Sequence, residues 1–124
     1  MPNPTPDAAR AFAHGWINGW NARDLDAVLA HYSEDCTFAS PFVARFACEP
    51  GGRLAGKARL RAYWTAALAA LPVLHFELVD VLTGVDCITI LYRGHRGLSA
   101  EVFELGADGK VVRGLALYAQ AAQS

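Results

Sequence analysis

Several things that mark dedicated chemistries are scarce or missing in this sequence. Only 19% of its 124 residues are charged, 11 basic against 12 acidic, for a net charge of −1. Without an excess of one sign there is no field to draw a polyanion, and nucleic acid is not an expected partner. The one basic cluster, Arg53, Lys57, Arg59 and Arg61, has no interleaved aromatic ladder and reads as a solvated helix face. No apolar run approaches the roughly 20 residues of a membrane span, so no membrane partner is expected. The segment MPNPTPDAAR lacks a cationic-then-apolar signal pattern, which makes a cytoplasmic protein the expectation.

The cysteines are few. Cys36, Cys48 and Cys87 form no CxxC and no zinc-type spacing with histidine. Cys36 and Cys87 lie in apolar strand patterns and read as buried small hydrophobes, whereas Cys48 falls in a loop. His14, His31, His75 and His95 never recur at i, i+4, and no phosphate-cradling loop or nucleophile elbow is present. No metal and no cofactor are expected.

What the chain has is apolar material, 53% of residues, spread along its length. That supports one domain over residues 1–124 with a core of its own. Thr5 or Asp7 can cap a first helix, with Pro6 in its first turn. Phe12, Trp16, Ile17 and Trp20 then form one apolar face, and Asn21 to Arg23 break the pattern. Asp24 suits the N-cap of a second helix, with Leu25, Val28, Leu29 and Tyr32 on a shared face. Cys36 to Phe42 has strand composition up to Pro41, and residues 44–56, with Pro50, Gly51, Gly52 and Gly56, read as a loop carrying at most a short hairpin. Lys57 to Leu71 returns to helical spacing until Pro72. From there the period becomes two, predicting strands at 74–83, 87–93, 98–105 and 111–119. Asp108-Gly109 is the strongest hairpin signal, and Gly94 and Gly97 flank another turn. Three helices, one strand among them, and then a meander predict an α+β domain with helices on one face of an antiparallel sheet.

The block WNARDLDAVLAHYSEDCTFASPF, the Gly56-Lys57 helix start with Leu60-Arg61-Ala62-Tyr63-Trp64, and Asp108-Gly109-Lys110-Val111 together resemble the nuclear transport factor 2-like superfamily. That group includes the SnoaL-like polyketide cyclases and ketosteroid isomerase. The resemblance implies a cone: a strongly curved antiparallel sheet, three N-terminal helices packed in its concave side, a ligand pocket at the open end, and homodimerisation through the sheet. The outward residues Leu91 and Val102 would then be covered by a second copy. In the isomerase pattern, a tyrosine and a protonated aspartate hold an oxyanion while a second aspartate acts as base. By the same resemblance Trp16 falls at the tyrosine position, Ser40 at the base and Glu101 at the protonated aspartate. Indole offers only a donor and an unactivated serine is no base at neutral pH. Steroid isomerisation by the Tyr/Asp/Asp route is therefore not expected.

Glu101 is left as the candidate catalytic residue. It shares a strand face with Ser99, Phe103 and Leu105, so burial would raise its pKa and suit it to acid/base work. Ile90 and Tyr92 share a face on the preceding strand. With Trp16, Trp20, Ser40, Phe42, Tyr63 and Tyr118 they complete the expected pocket. The expected function is that of a small-molecule pocket protein of the SnoaL-like type. It could be a cofactor-independent isomerase, cyclase or hydratase acting on an apolar carbonyl compound. The alternatives are a non-catalytic binding protein and a dimeric protein-interaction module.

Overall fold

The structure, a computed structural model, describes residues 4–47 and 49–119; the expectation for Cys48 lies outside them. The first helix, α1, runs Pro6–Asn21. Thr5 is its N-cap, its hydroxyl accepting from the Ala8 N–H at 3.1 Å, and Pro6 occupies the first turn, where a missing N–H costs nothing. Ala9, Ala13, Trp16, Ile17 and Trp20 are its buried stripe. Asp24 caps the second helix, α2 (Leu25–Leu29), through the Ala27 N–H. That helix is shorter than its apolar spacing predicts: Tyr32 opens strand β1 (Tyr32–Ala39) instead of closing α2.

The strand expected to reach Phe42 stops at Ala39, and residues 41–46 form a helix, α3 (Pro41–Phe46). The reason is local. Ser40 is extended and its Oγ accepts from the Phe42 N–H at 3.2 Å, while Pro41 has the dihedral a first helical turn needs. The expected hairpin survives as β2 (Arg53–Ala55), paired to β1. Gly52 sits at φ +69°, and a Cβ there would lie 3.1 Å from the Ser40 carbonyl oxygen, so this turn requires glycine.

Helix α4 spans Lys57–Ala70 and is followed by β3 (Glu77–Gly84), β4 (Cys87–Gly94), β5 (Gly97–Leu105) and β6 (Val111–Tyr118). The six strands form one sheet in the order β2-β1-β6-β5-β4-β3. Four neighbouring pairs are antiparallel, but β1 runs parallel to β6. Parallel neighbours need a long crossover, and here all of the chain from α3 to β5 intervenes; no turn signal in the sequence could report that pairing. Register breaks between Tyr32 and Thr37, Leu78 and Asp80, and Glu104 and Leu105 bend the ribbon, giving the curved, open sheet of the expected cone. No helix among the described residues is long and apolar enough to cross a membrane.

Trp16 is the hub of the interior. It is 1% exposed, stacks on Phe76 at 5.9 Å, and meets Tyr92 and Phe103 edge-on at 5.4 and 5.5 Å. Trp20 in turn meets Trp64 of α4 at 5.0 Å. Cys36 is buried in this core, while Cys87 is only half-buried.

Two polar clamps fix the helices to the start of the meander. Arg23, at φ +58°, sends its guanidinium to the Leu68 and Leu71 carbonyls at the end of α4, where four carbonyls lack helical partners. Asn21 acts as a surrogate strand: its Nδ2 donates to the Phe76 carbonyl at 2.9 Å and its Oδ1 accepts from the Phe76 N–H at 2.7 Å. Each such bond is worth about 1 kcal/mol, and both Phe76 groups are left unpaired without it. Asn21→Ala should therefore cost about 2 kcal/mol in urea unfolding. A loss below about 0.5 kcal/mol, within the range of an ordinary surface substitution, would contradict that role.

Candidate functional site

Strand alternation turns Ser99, Glu101 and Phe103 of β5 to the concave face. Cross-strand pairing then sets Glu101 between Ile90 and Ala116, and Ser99 between Tyr92 and Tyr118. Above this row, between sheet and helices, lies a cavity of about 400 Å³, within the usual range for small-molecule sites. Of the expected pocket residues, Trp16, Trp20, Ser40, Phe42, Tyr63, Tyr92, Glu101 and Tyr118 line it. Ile90, Ser99 and Phe103 do not. Ile90 and Phe103 are wholly buried beneath the wall, and the Ser99 hydroxyl turns back to the Gly97 carbonyl at 3.3 Å. Parity correctly gives their face but says nothing of depth.

Glu101 is 3% exposed and has neither an ion pair nor a hydrogen-bond donor among the described residues. Burial alone pushes its carboxyl well above the usual range. Tyr92 and Tyr118 are likewise raised, first by burial and then by the nearby Glu101 carboxyl; Tyr63 is raised by burial, with Glu101 a weaker contributor. Ser40 lowers the Tyr63 and Tyr118 values through its hydroxyl while also capping α3, so it serves the backbone and the cavity at once. The wall thus offers hydroxyl donors around one neutral acid.

The two tryptophans of α1 differ. Trp16 Nε1 donates to the Tyr32 hydroxyl at 3.3 Å, so its N–H is spent inside the protein. Trp20 Nε1 is buried without a partner. An orphaned donor of this kind costs about 1–3 kcal/mol, and a ligand oxygen in the cavity would relieve it.

The expected pocket left out apolar lining residues such as Phe38, Trp64 and Phe76, and two polar ones, His95 and Arg96. The latter two are the central pair of the β4–β5 turn, where Gly94 pairs with Gly97, itself at φ +84°. The available signal was position: a tight turn joining the strands of Tyr92 and Ser99 must lie at the same end as those residues. The Arg96 guanidinium lies 4.3 Å from the centroid of the Phe42 ring, and Phe42 meets Tyr118 edge-on at 4.8 Å. His95 has its pKa lowered by burial and by Arg96, which keeps it neutral at neutral pH. Among the described residues no group of three or more His, Cys, Asp or Glu is placed to hold a metal ion.

A family model described as a SnoaL-like domain matches residues 13–118. The chain belongs to the SnoaL-like family. A SnoaL-like protein of unknown function from Burkholderia thailandensis is 48% identical, with a TM-score of 0.91 over 96% of this chain and 99% of that one. More distant structures share the fold alone. TerC, co-crystallised with polyporic acid, is 14% identical with a TM-score of 0.74, covering 93% of this chain and 94% of that one. A candidate polyketide cyclase from Sinorhizobium meliloti is 17% identical with a TM-score of 0.69, covering 90% and 94%. No curated protein matches the sequence. This SnoaL-like chain is thus a small-molecule pocket protein, and among the described residues Glu101 is the one carboxyl in its cavity wall.

The buried carboxyl has a consequence for folding. Below about pH 4.3, Glu101 is protonated in the folded and unfolded chains alike. Above that, the unfolded chain releases the proton while the folded chain keeps it, so stability falls as pH rises until the raised folded pKa is passed. Glu101→Gln removes this slope. Its stability relative to the parent should grow from pH 5 to pH 7, by at most ~1.4 kcal/mol per pH unit. A difference that does not change with pH in thermal or urea unfolding would contradict the buried, uncompensated carboxyl.

Proposed function

We propose that the cavity binds an apolar, conjugated carbonyl compound and that Glu101 moves a proton on it. The observation that carries this reading is a cavity-wall carboxyl whose only perturbation is burial. Such a group keeps its proton to a higher pH than a solvated glutamate and is a stronger base when ionised. In the ionised form it would take a proton from the carbon next to the ligand carbonyl. The electron pair would move to the carbonyl oxygen, and the proton would return from Glu101 to the same or a conjugated carbon. Trp20 Nε1 and the Tyr63 and Tyr118 hydroxyls are the donors available to the resulting oxyanion. Isomerase, cyclase and hydratase chemistry all share this step.

A second reading, binding without turnover, is favoured by one feature. Apart from Glu101, the titratable groups lining the cavity among the described residues are tyrosines with raised pKa values, the neutral His95 and the cation Arg96, so none of them is a ready base. Incubation with 1-tetralone, a bicyclic enolisable ketone, in deuterated water separates the two. The catalytic reading predicts protein-dependent deuterium uptake next to the carbonyl, slowed ~100-fold or more in Glu101→Gln. Bound ketone without uptake would leave the binding reading.

We also propose a homodimer through the convex face of the sheet. Pairing there aligns Leu91, Ala100 and Leu117 in one row, with Asp80 at its β3 end, and Leu82, Thr89, Val102 and Leu115 in the next, with Leu82 and Leu117 about half exposed. A contiguous apolar face of this kind is costly in water. Sedimentation velocity should show a dimer that Leu117→Asp dissociates. A monomer at all concentrations would overturn the assignment.

A further inference from the structure

The mouth of the cavity carries a charge that the reading above does not use. Among the described residues Arg96 is the one fixed cation in the lining, and no carboxylate forms a salt bridge with it. Its guanidinium is held against the Phe42 ring, and its Nε is buried with no hydrogen-bond partner among the described residues. Stacking on an aromatic face leaves the in-plane N–H groups of a guanidinium free to point past the ring edge. A cation at the rim of a low-dielectric cavity also focuses its field into that cavity. Nothing at the rim answers that field: the lining offers Phe42, Phe46 and Tyr118 beside His95, whose neutrality leaves it no charge to offset Arg96. The one carboxyl in the lining, Glu101, sits on the concave sheet face.

We propose that Arg96 is a specificity-determining residue that selects ligands carrying an oxyanion, a carboxylate or an enolate, on an aromatic or conjugated skeleton. The skeleton fills the space between Trp20, Phe38, Tyr63 and Trp64, and the charged oxygen lies against Arg96 beside Phe42. The cavity then has two unlike ends: a fixed cation at the mouth and, at the sheet, a carboxyl whose ionisation burial disfavours. That polarity orients a ligand with one ionised and one neutral oxygen function, placing the neutral carbonyl toward Glu101. This inference rests on the reading of the cavity as a small-molecule site.

The test compares matched probes that differ only in charge: 2-naphthoate against methyl 2-naphthoate, and 2-hydroxy-1,4-naphthoquinone, an enolate at neutral pH, against its methyl ether. Affinities are read by calorimetry or by chemical-shift titration. The parent protein should bind at least one anion ~10-fold or more tightly than its neutral partner, the range of a charged hydrogen bond. Which pair shows the larger ratio distinguishes carboxylate from enolate recognition. Arg96→Gln should abolish that ratio while changing the affinity for the neutral partner less than about 2-fold. Arg96→Lys, which keeps the charge but not the fork, should retain part of it. Equal binding of acid and neutral probes by the parent protein, or a ratio that survives in Arg96→Gln, would overturn the role of Arg96 and leave the cavity reading standing. Failure of all four probes to bind would overturn both.

Discussion

A carboxyl group buried among aromatic rings, with no ion pair and no hydrogen bond of its own among the described residues, is the constraint on which this structure turns. The aromatic shell exists because α1 lays Trp16 and Trp20, one turn apart, along the concave sheet, and α4 closes it with Trp64. In that setting ionising Glu101 means placing a bare charge among rings, and burial holds the proton on. The same logic reaches the neighbouring hydroxyls. Burial raises Tyr92 and Tyr118 as well, and the Glu101 carboxyl adds to the shift, so both remain donors. The wall therefore has a single protonation pattern until a ligand changes its dielectric or its hydrogen bonding.

Around that acid the polar groups divide by duty. Trp16 and Ser40, which the resemblance to the isomerase set at the phenol and carboxylate positions, each have an internal task here. The Trp16 indole N–H binds Tyr32, and the Ser40 hydroxyl starts α3. By capping α3, Ser40 also positions Phe42 at the mouth, and Phe42 is the surface on which Arg96 rests. A residue whose chemistry looks lost thus helps to build the part of the site that faces the ligand. The unspent donors, Trp20 Nε1 and Arg96 Nε, both belong to residues lining the cavity.

Much of the architecture was legible from periodicity. Caps at Thr5 and Asp24, the α4 stripe, the four late strands and the face of Glu101 all follow from spacing within single elements. What periodicity cannot carry is pairing over distance and depth below a surface. The parallel β1–β6 contact joins segments more than seventy residues apart, with no turn between them to betray it. Ile90 and Phe103 share the face of Glu101 but do not line the cavity; both are wholly buried, Phe103 against Phe12 and Trp16 of α1. Phe42 changed element because a Ser-Pro step that can end a strand can equally begin a helix. Arg96 sat in a turn read only as a connection. Its importance comes from the curvature of the sheet, which brings that turn against α3.

The most direct test of this account is a carbon-13 NMR titration of the glutamate side-chain carboxyls, with the Glu101 signal assigned by its absence in Glu101→Gln. The account predicts that Glu101 stays protonated well above the ordinary glutamate midpoint of about 4.3, and that its midpoint moves when a cavity ligand binds. A midpoint in the ordinary range, indifferent to ligand, would show a solvated carboxylate and contradict the central claim.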